Sequence, residues 1–432
     1  MNWHSRLPLP AANLLDRTVL LLATLFVAID WLNGLLRHLL PQPLPLSAPV
    51  KAVLLALLLW RGWQLCRREL QLPLLLMLLM LPGPLYIKWL TGHPYLVADL
   101  QLIAKAGAML LAFAYFSVQA QQRGSDFLRW VDFLMLGAFA LVLVNAALGL
   151  AGYGGTAYQP MDEVSQKFLG VKGFFISTNE LSALLLVLSG WLFCRSWQLC
   201  RWAYPLLGMA AIFIAALLLT KTGLFGILLL LAGIPLLLLR GEQWRAAKIY
   251  LLGILGILLV LTVVLLLNWR QLLQVIGLYD KLMFAYEQRG LAGILLSSRD
   301  FYLQRNFTLV AEQYPHWLQL FGVGQGGVKL WLKKYFIELD FFDLLLFYGL
   351  AGAMLFALSF VRLFKALFSR LTQSPLVKPL LLLNVILFTV AMLAGHVLTS
   401  GMLWLPWALV NAAIFVDWPQ RQSEQAVPLE HA

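Results

Sequence analysis

Charge is what this 432-residue chain has least of. Asp, Glu, Lys and Arg together make only 12% of it, about half the share of a soluble globular domain, which rules out an ordinary water-soluble fold. Cysteine is nearly absent too. Cys66, Cys194 and Cys200 all fall in or beside loops that read as cytoplasmic, so no disulfide framework is expected. Cys194 and Cys200 lack the CxxC spacing of a metal or redox site and read as small apolar filler. The chain has no HExxH motif and no paired-acid metal motif, so neither a metal nor another cofactor is expected. Internal repeats and low-complexity tracts are missing, and the lack of strand-like alternation argues against a β-barrel.

What is present is apolar. Hydrophobic residues make up 61% of the chain, in stretches of about 17 to 24 residues that are each long enough to cross a hydrocarbon core as a helix. The chain therefore reads as an all-α, polytopic membrane bundle of about twelve spans, at 13–36, 44–60, 72–87, 96–118, 131–151, 173–194, 203–219, 223–239, 249–267, 341–360, 377–394 and 401–417. Residues 1–267 hold the first nine, 268–340 form one large loop, 341–417 hold the last three, and 418–432 form a tail. In "LPLLLMLLMLPGPLYIKWL" the Pro82–Gly83–Pro84 break divides the third span into two half-helices, which survive in a membrane only where protein or a wet cavity covers the freed backbone.

Basic residues outnumber acidic ones, 32 to 20. They sit in short loops between spans, where they set topology, and nucleic acid is not an expected partner. One set of alternate loops carries Arg61, Arg67 and Arg68, Arg195 and Arg201, Arg240, Arg245 and Lys248, and Arg362, Lys365, Arg370 and Lys378. The other set holds only Arg37, Lys88, Lys167, Lys172 and Lys221 in its short loops. By the positive-inside rule both termini and the tail are cytoplasmic, and the long loop faces the opposite side. "RTVLLLATLFVAID" has a basic flank and an apolar centre but no small-residue cleavage site, and reads as an uncleaved anchor.

The long loop is the expected functional region, because connections of this length are usually lids or binding elements. Within it, a helix capped at Asp300 is expected, with Leu303, Phe307, Val310, Ala311 and Tyr314 on one stripe and Pro315 as its stop. "LFGVGQGGVKLW" superficially matches a nucleotide-binding glycine pattern, but no strand-helix unit surrounds it, and it reads as a tight turn before a short helix.

Candidate chemistry gathers at the loop side. Arg299, with Arg305 six residues on, lies in "LLSSRDFYLQRN"; Lys172 lies in "FLGVKGFFISTNE" and Lys221 in "LLLTKTGLFG". Each of Arg299, Lys172 and Lys221 sits beside a membrane edge. Singly, such a residue snorkels to headgroups; together they form a cationic pocket suited to a lipid-linked phosphate or pyrophosphate. "IELDFFDLLLFYGLAG" places Glu338, Asp340 and Asp343 where the chain returns to the membrane. One carboxylate there can serve as general base toward a sugar hydroxyl and the others as sugar or cation ligands. Alternatively, all three favour a helix macrodipole beside Lys333 and Lys334. His396 in "MLAGHVLTSGM" falls at the same end. Glu180, Asp30, Lys51, Asp99 and Lys105 are intramembrane charges, expected to face the interior or pair between helices.

Taken together, "KGFFISTNELSALL", "TKTG", "SSRD", "LFGVGQGG" and "ELDFFDLLLFYGLAG" resemble the O-antigen ligase and O-antigen polymerase superfamily of bacterial inner-membrane glycosyltransferases. The resemblance implies a GT-C-like helical bundle with one large periplasmic loop, transferring glycan from undecaprenyl pyrophosphate to an acceptor sugar without nucleotide or metal, within polysaccharide or lipopolysaccharide biosynthesis. Other implied partners are membrane lipids and assembly proteins such as a flippase or chain-length regulator. It assigns pyrophosphate binding to Arg299, with Lys172 and Lys221. In many ligases of the family the return to the membrane begins with a His proposed to activate the acceptor; the matching place here is Glu338, followed by Asp340. That departure favours polymerisation over ligation to lipid A core or protein. A proton-coupled transporter is the rival outside the enzyme class.

Overall fold

A computed structural model describes residues 13–42, 45–158, 170–239 and 297–417, with scattered positions between 252 and 290. The expected span at 249–267 and the first part of the long loop lie outside the described residues apart from those positions, and the tail at 418–432 lies wholly outside them. Numbered among the described residues, the helices are α1 Leu14–Thr24, α2 Phe26–Leu39, α3 Ser47–Leu79, α4 Pro82–Thr91, α5 Leu96–Arg123, α6 Ser125–Leu150, α7 Thr178–Leu199, α8 Ala203–Leu218 and α9 Lys221–Leu238. The long loop contributes α10 Arg299–Gln313, α11 His316–Phe321 and α12 Gly324–Lys329; then come α13 Asp340–Ser369, α14 Val377–Leu393 and α15 Trp404–Ala412. The only sheet among the described residues is an antiparallel ribbon of β1 Gly155–Thr156 and β2 Val171–Gly173.

Five described helical stretches are long and apolar enough to cross a membrane, or six if α1 and α2, bent by 52°, count as one span. That is fewer than the dozen expected. Part of the difference is that α8, α14 and α15 are shorter apolar helices. Another part lies in Ser47–Thr91, which counts once yet does not run straight. Cys66 has non-helical angles (φ −143°, ψ 42°), and a Cβ on Gly62 would meet Leu70 Cδ1 at 3.0 Å. Eight residues of unbroken helix would separate those backbones by about 12 Å. The helix therefore folds back beside Arg67 and Arg68, with Leu55 and Leu59 packed on the cluster that holds Leu70. Reporters inserted after Arg67 and after Gln313 should read opposite sides of the membrane; the same side for both would contradict this hairpin.

Helix α7 is buried all round from Leu181 to Cys194, as expected of a helix at the centre of a bundle. Around it, intramembrane polar groups find partners. Lys51 Nζ lies 2.5 Å from Asp30 Oδ2. Trp407 Nε1 donates to Asn384 Oδ1 at 2.8 Å, and Asn384 Nδ2 to Asn411 Oδ1 at 2.7 Å. Arg61 and Tyr115 both bond Asp16, and Arg195 bonds Asp132. Such pairs are what make charge tolerable at these positions.

Three glycines fasten the loop helices to the bundle. The third span breaks between Leu79 and Pro82, as its Pro-Gly-Pro sequence suggests. A Cβ on Gly83 would lie 1.8 Å from the Gly322 carbonyl oxygen, one on Gly322 2.2 Å from the Phe347 oxygen, and one on Gly349 2.0 Å from the Leu320 oxygen. Backbones meet where any side chain would collide. Gly349 also has φ 58° and ψ −145°, which breaks α13 after its first two turns. The glycine-rich turn itself is no nucleotide site: its N–H groups at Gln325 and Gly326 donate to Asp99, at 2.6 and 3.3 Å.

Candidate active site at the loop end of the bundle

α10 is the expected helix, with small changes. Leu303, Phe307, Val310 and Tyr314 face inward and Tyr314 ends it, but Ala311 is exposed and Ser298, not Asp300, holds the cap position. Ser297 and Ser298 have left-handed φ, 52° and 65°, so the chain turns sharply into α10 and delivers Arg299 to the bundle. Arg299 Nη2 donates to Glu338 Oε2 at 3.0 Å and to the Ala394 carbonyl at 3.3 Å. One guanidinium thus ties the loop helix to the segments that begin α13 and end α14.

Glu338 is bracketed by cations. Lys334 Nζ sits 3.4 Å from Oε1 while Arg299 holds Oε2, and Lys334 also lies over the Tyr302 ring. Burial pushes the Glu338 carboxyl up, yet Lys334, His396 and Arg299 outweigh burial and hold it below the usual glutamate range. A folded-state pKa below the unfolded one adds stability that is present above the unfolded value and fades as pH falls through the folded one. The melting temperature of the wild type should therefore exceed that of Glu338→Gln at neutral pH. The gap should close below about pH 4; a gap unchanged into acid would contradict the ion-pair account.

His396 stands beside the same carboxylate. Its ring packs edge-on against Phe336, and a Cβ on its neighbour Gly395 would lie 2.4 Å from the Glu338 carbonyl oxygen. Tyr158 approaches from the ribbon: its hydroxyl donates to the Leu219 carbonyl at 3.1 Å. Burial raises the Tyr158 phenol, and the Arg299 charge acts against that rise. Lys221, exposed, follows Leu219 by two residues at the start of α9. Lys172 lies on β2 with its side chain across Gly155. It pairs with the strand that Tyr158 follows but makes no direct contact with the Arg299–Glu338 pair.

Three expected site residues are placed otherwise. Asp340 is fully buried. Its Oδ1 accepts from His396 N at 2.7 Å and Thr399 Oγ1 at 3.0 Å, and its Oδ2 from Val397 N and Leu398 N at 2.8 Å each. Four donors fill the four acceptor sites of a carboxylate, so no position remains for a sugar proton. Asp343 accepts from Ile337 N, Glu338 N and Leu339 N at 2.8, 3.0 and 3.2 Å. These successive N–H groups form a nest around it, made possible by the left-handed φ of 67° at Glu338. Arg305 bonds Asn306 Oδ1 and the Lys334 carbonyl, which pins α10 to the approach to α13. Asp340, Asp343 and Arg305 are fasteners of the site.

The backbone marks the same spot. Among the described residues, five non-glycine residues have left-handed φ: Leu219, Ser297, Ser298, Glu338 and His396. Each is, adjoins or lies two residues from Lys221, Arg299, Glu338 or His396. Such conformations cost on the order of 1–3 kcal/mol each and gather where function over-determines the chain. Sequence reasoning missed Tyr158, whose only signal was proximity to a ribbon it did not foresee, and treated Lys334 only as a helix-end partner of the acids.

Apolar spanning helices, partnered intramembrane charges and a strained ionic cluster at one end define a multi-pass helical membrane protein. No protein-family model matches this chain, and no curated protein matches its sequence.

Proposed function

We propose that this protein is a polyprenyl-pyrophosphate-dependent glycosyltransferase of the bacterial inner membrane, acting at the periplasmic face as a polysaccharide polymerase. The terminal hydroxyl of one lipid-linked repeat unit attacks the anomeric carbon of a second lipid-linked glycan. The new glycosidic C–O bond forms as the C–O bond to pyrophosphate breaks, and polyprenyl pyrophosphate departs with the bonding pair. The observation that carries this reading is the meeting of Arg299, Lys334, Glu338 and His396 on strained backbone at the loop end.

In this arrangement Glu338 stands where the substrate's anion goes. A bound pyrophosphate takes Arg299 and Lys334 onto its own oxygens, and Glu338, losing its cations, becomes more basic as the donor arrives. It then accepts the attacking hydroxyl's proton, a role suited to a carboxylate whose pKa has moved toward the working pH. Arg299 and Lys334 stay on the leaving group as its charge develops. Glu338→Gln should abolish polymer in cells while the lipid-linked donor still binds. Full activity of Glu338→Gln with loss in His396→Ala would move the base to His396; activity in both would remove the proton-transfer role from this cluster. Deletion of the gene should leave surface polysaccharide as single repeats, whereas long chains stranded on lipid would indicate the ligase form of the same chemistry.

A further inference from the structure

Away from the Arg299–Glu338 pair, a cavity of about 320 Å³ lies among α2, α3, α5 and the starts of α7 and α15. Its cations are Arg37, Lys51 and Lys105, and its acids are Asp30 and Glu180. The acids are already engaged. Asp30 takes Lys51 Nζ and Ser47 Oγ, while Glu180 Oε2 accepts from Ser400 Oγ at 2.7 Å and Gly401 N at 2.9 Å. Arg37 and Lys105 make no ion pair with any described residue. Three cations against two acids leave the walls net positive.

The depth fits a headgroup with its tail in lipid. Arg37 is in the last turn of α2, Lys51 is one turn into α3, and Lys105 is nine residues, about 14 Å, inside α5. A lysine that deep is costly in lipid unless it has an anionic or aqueous partner. Leu55, Ile176 and Trp404 supply the apolar part of the wall.

The cavity is also tethered to the candidate active site. The buried segment after α14 gives its Ala394 carbonyl to Arg299 and its Gly401 carbonyl to Lys51, at 3.3 and 2.6 Å. Seven residues reach at most about 25 Å, so two anions, one at each end of this segment, would bring the sugars they carry together.

We propose that this cavity binds the phosphate headgroup of a second polyprenyl-linked substrate, the acceptor, while Arg299 serves the donor. The inference rests on the polymerase reading, since joining two lipid-linked units requires two lipid pyrophosphates at once. The probe is a short-chain polyprenyl pyrophosphate titrated into the full chain in nanodiscs, with bound lipid counted by native mass spectrometry. Wild type should bind two per chain. The double variant Arg37→Gln/Lys105→Gln should keep one and bind the other at least tenfold more weakly, and Arg299→Ala should lose the complementary one. Should the double variant fail to fold, Arg37→Gln alone, at the exposed end of α2, carries the same readout. Two bound lipids in a folded cavity variant would overturn the proposal. So would phosphatidylglycerol occupying the cavity and resisting displacement by the probe. If the cavity variants lose a lipid but Arg299→Ala does not, the donor site is misplaced and the cavity stands; the reverse pattern removes the cavity alone.

Discussion

Arg299→Ala should lower polymer formation by roughly a hundredfold or more, about 2.7 kcal/mol in the barrier. The side chain is only 12% exposed, so water is a poor replacement for its charge. Its guanidinium is also the link between α10, Glu338 and the Ala394 carbonyl. A dianionic leaving group needs that charge more in the transition state than in the ground state, so turnover should fall in addition to the loss of donor binding. Arg299→Lys should restore only part of the activity, because the planar fork that holds two oxygens at once is gone. Polymer is compared at equal protein in the membrane. Near-normal polymer in Arg299→Ala would take Arg299 out of the chemistry.

Asp340→Asn should be the most damaging exchange to the fold. The carboxylate receives three backbone N–H groups and the Thr399 hydroxyl in a site with no exposure. An amide keeps one acceptor oxygen and turns an NH2 toward the remaining donors, orphaning about two of them at about 1–3 kcal/mol each. The expected loss of about 2–6 kcal/mol should appear as a lower melting temperature in detergent and less protein in the membrane. Activity would fall with it, because residues 396–399 carry His396 and hang from this one carboxylate. A stable but inactive Asp340→Asn would instead return Asp340 to the proton-transfer step.

How the acids divide their work explains what sequence could and could not show. The helical class, the Pro82 break, the helix ending at Tyr314 and the coming together of Arg299, Glu338 and His396 were readable, because periodicity, proline and unusual charge are local signals. The roles of Glu338, Asp340 and Asp343 were not. All three share one stretch of sequence, yet a left-handed turn at Glu338 sends its carboxylate to Arg299 and Lys334, while Asp340 and Asp343 turn to backbone N–H groups. Backbone sign at one residue is a tertiary outcome, set in part by the close approach of Gly395, which lies outside any local window. The turn back at Cys66 falls between the expected spans 44–60 and 72–87, but its form was not legible: its helical residues continue almost to the bend, so a single non-helical residue stands in for the loop. Lys105 and Arg37 were visible as charges, but which surface they share depends on how α2, α3 and α5 pack.

Release of the lipid carrier tests the account most directly. The purified protein in vesicles is supplied with a polyprenyl-pyrophosphate-linked repeat unit labelled in both sugar and lipid, and free polyprenyl pyrophosphate is counted against glycosidic bonds formed. The account predicts one carrier released per bond, with growing chains on the remaining lipid and neither product from Glu338→Gln. Labelled sugar crossing the vesicle membrane with no bond formed and no carrier released would contradict it and make the protein a carrier of its substrate.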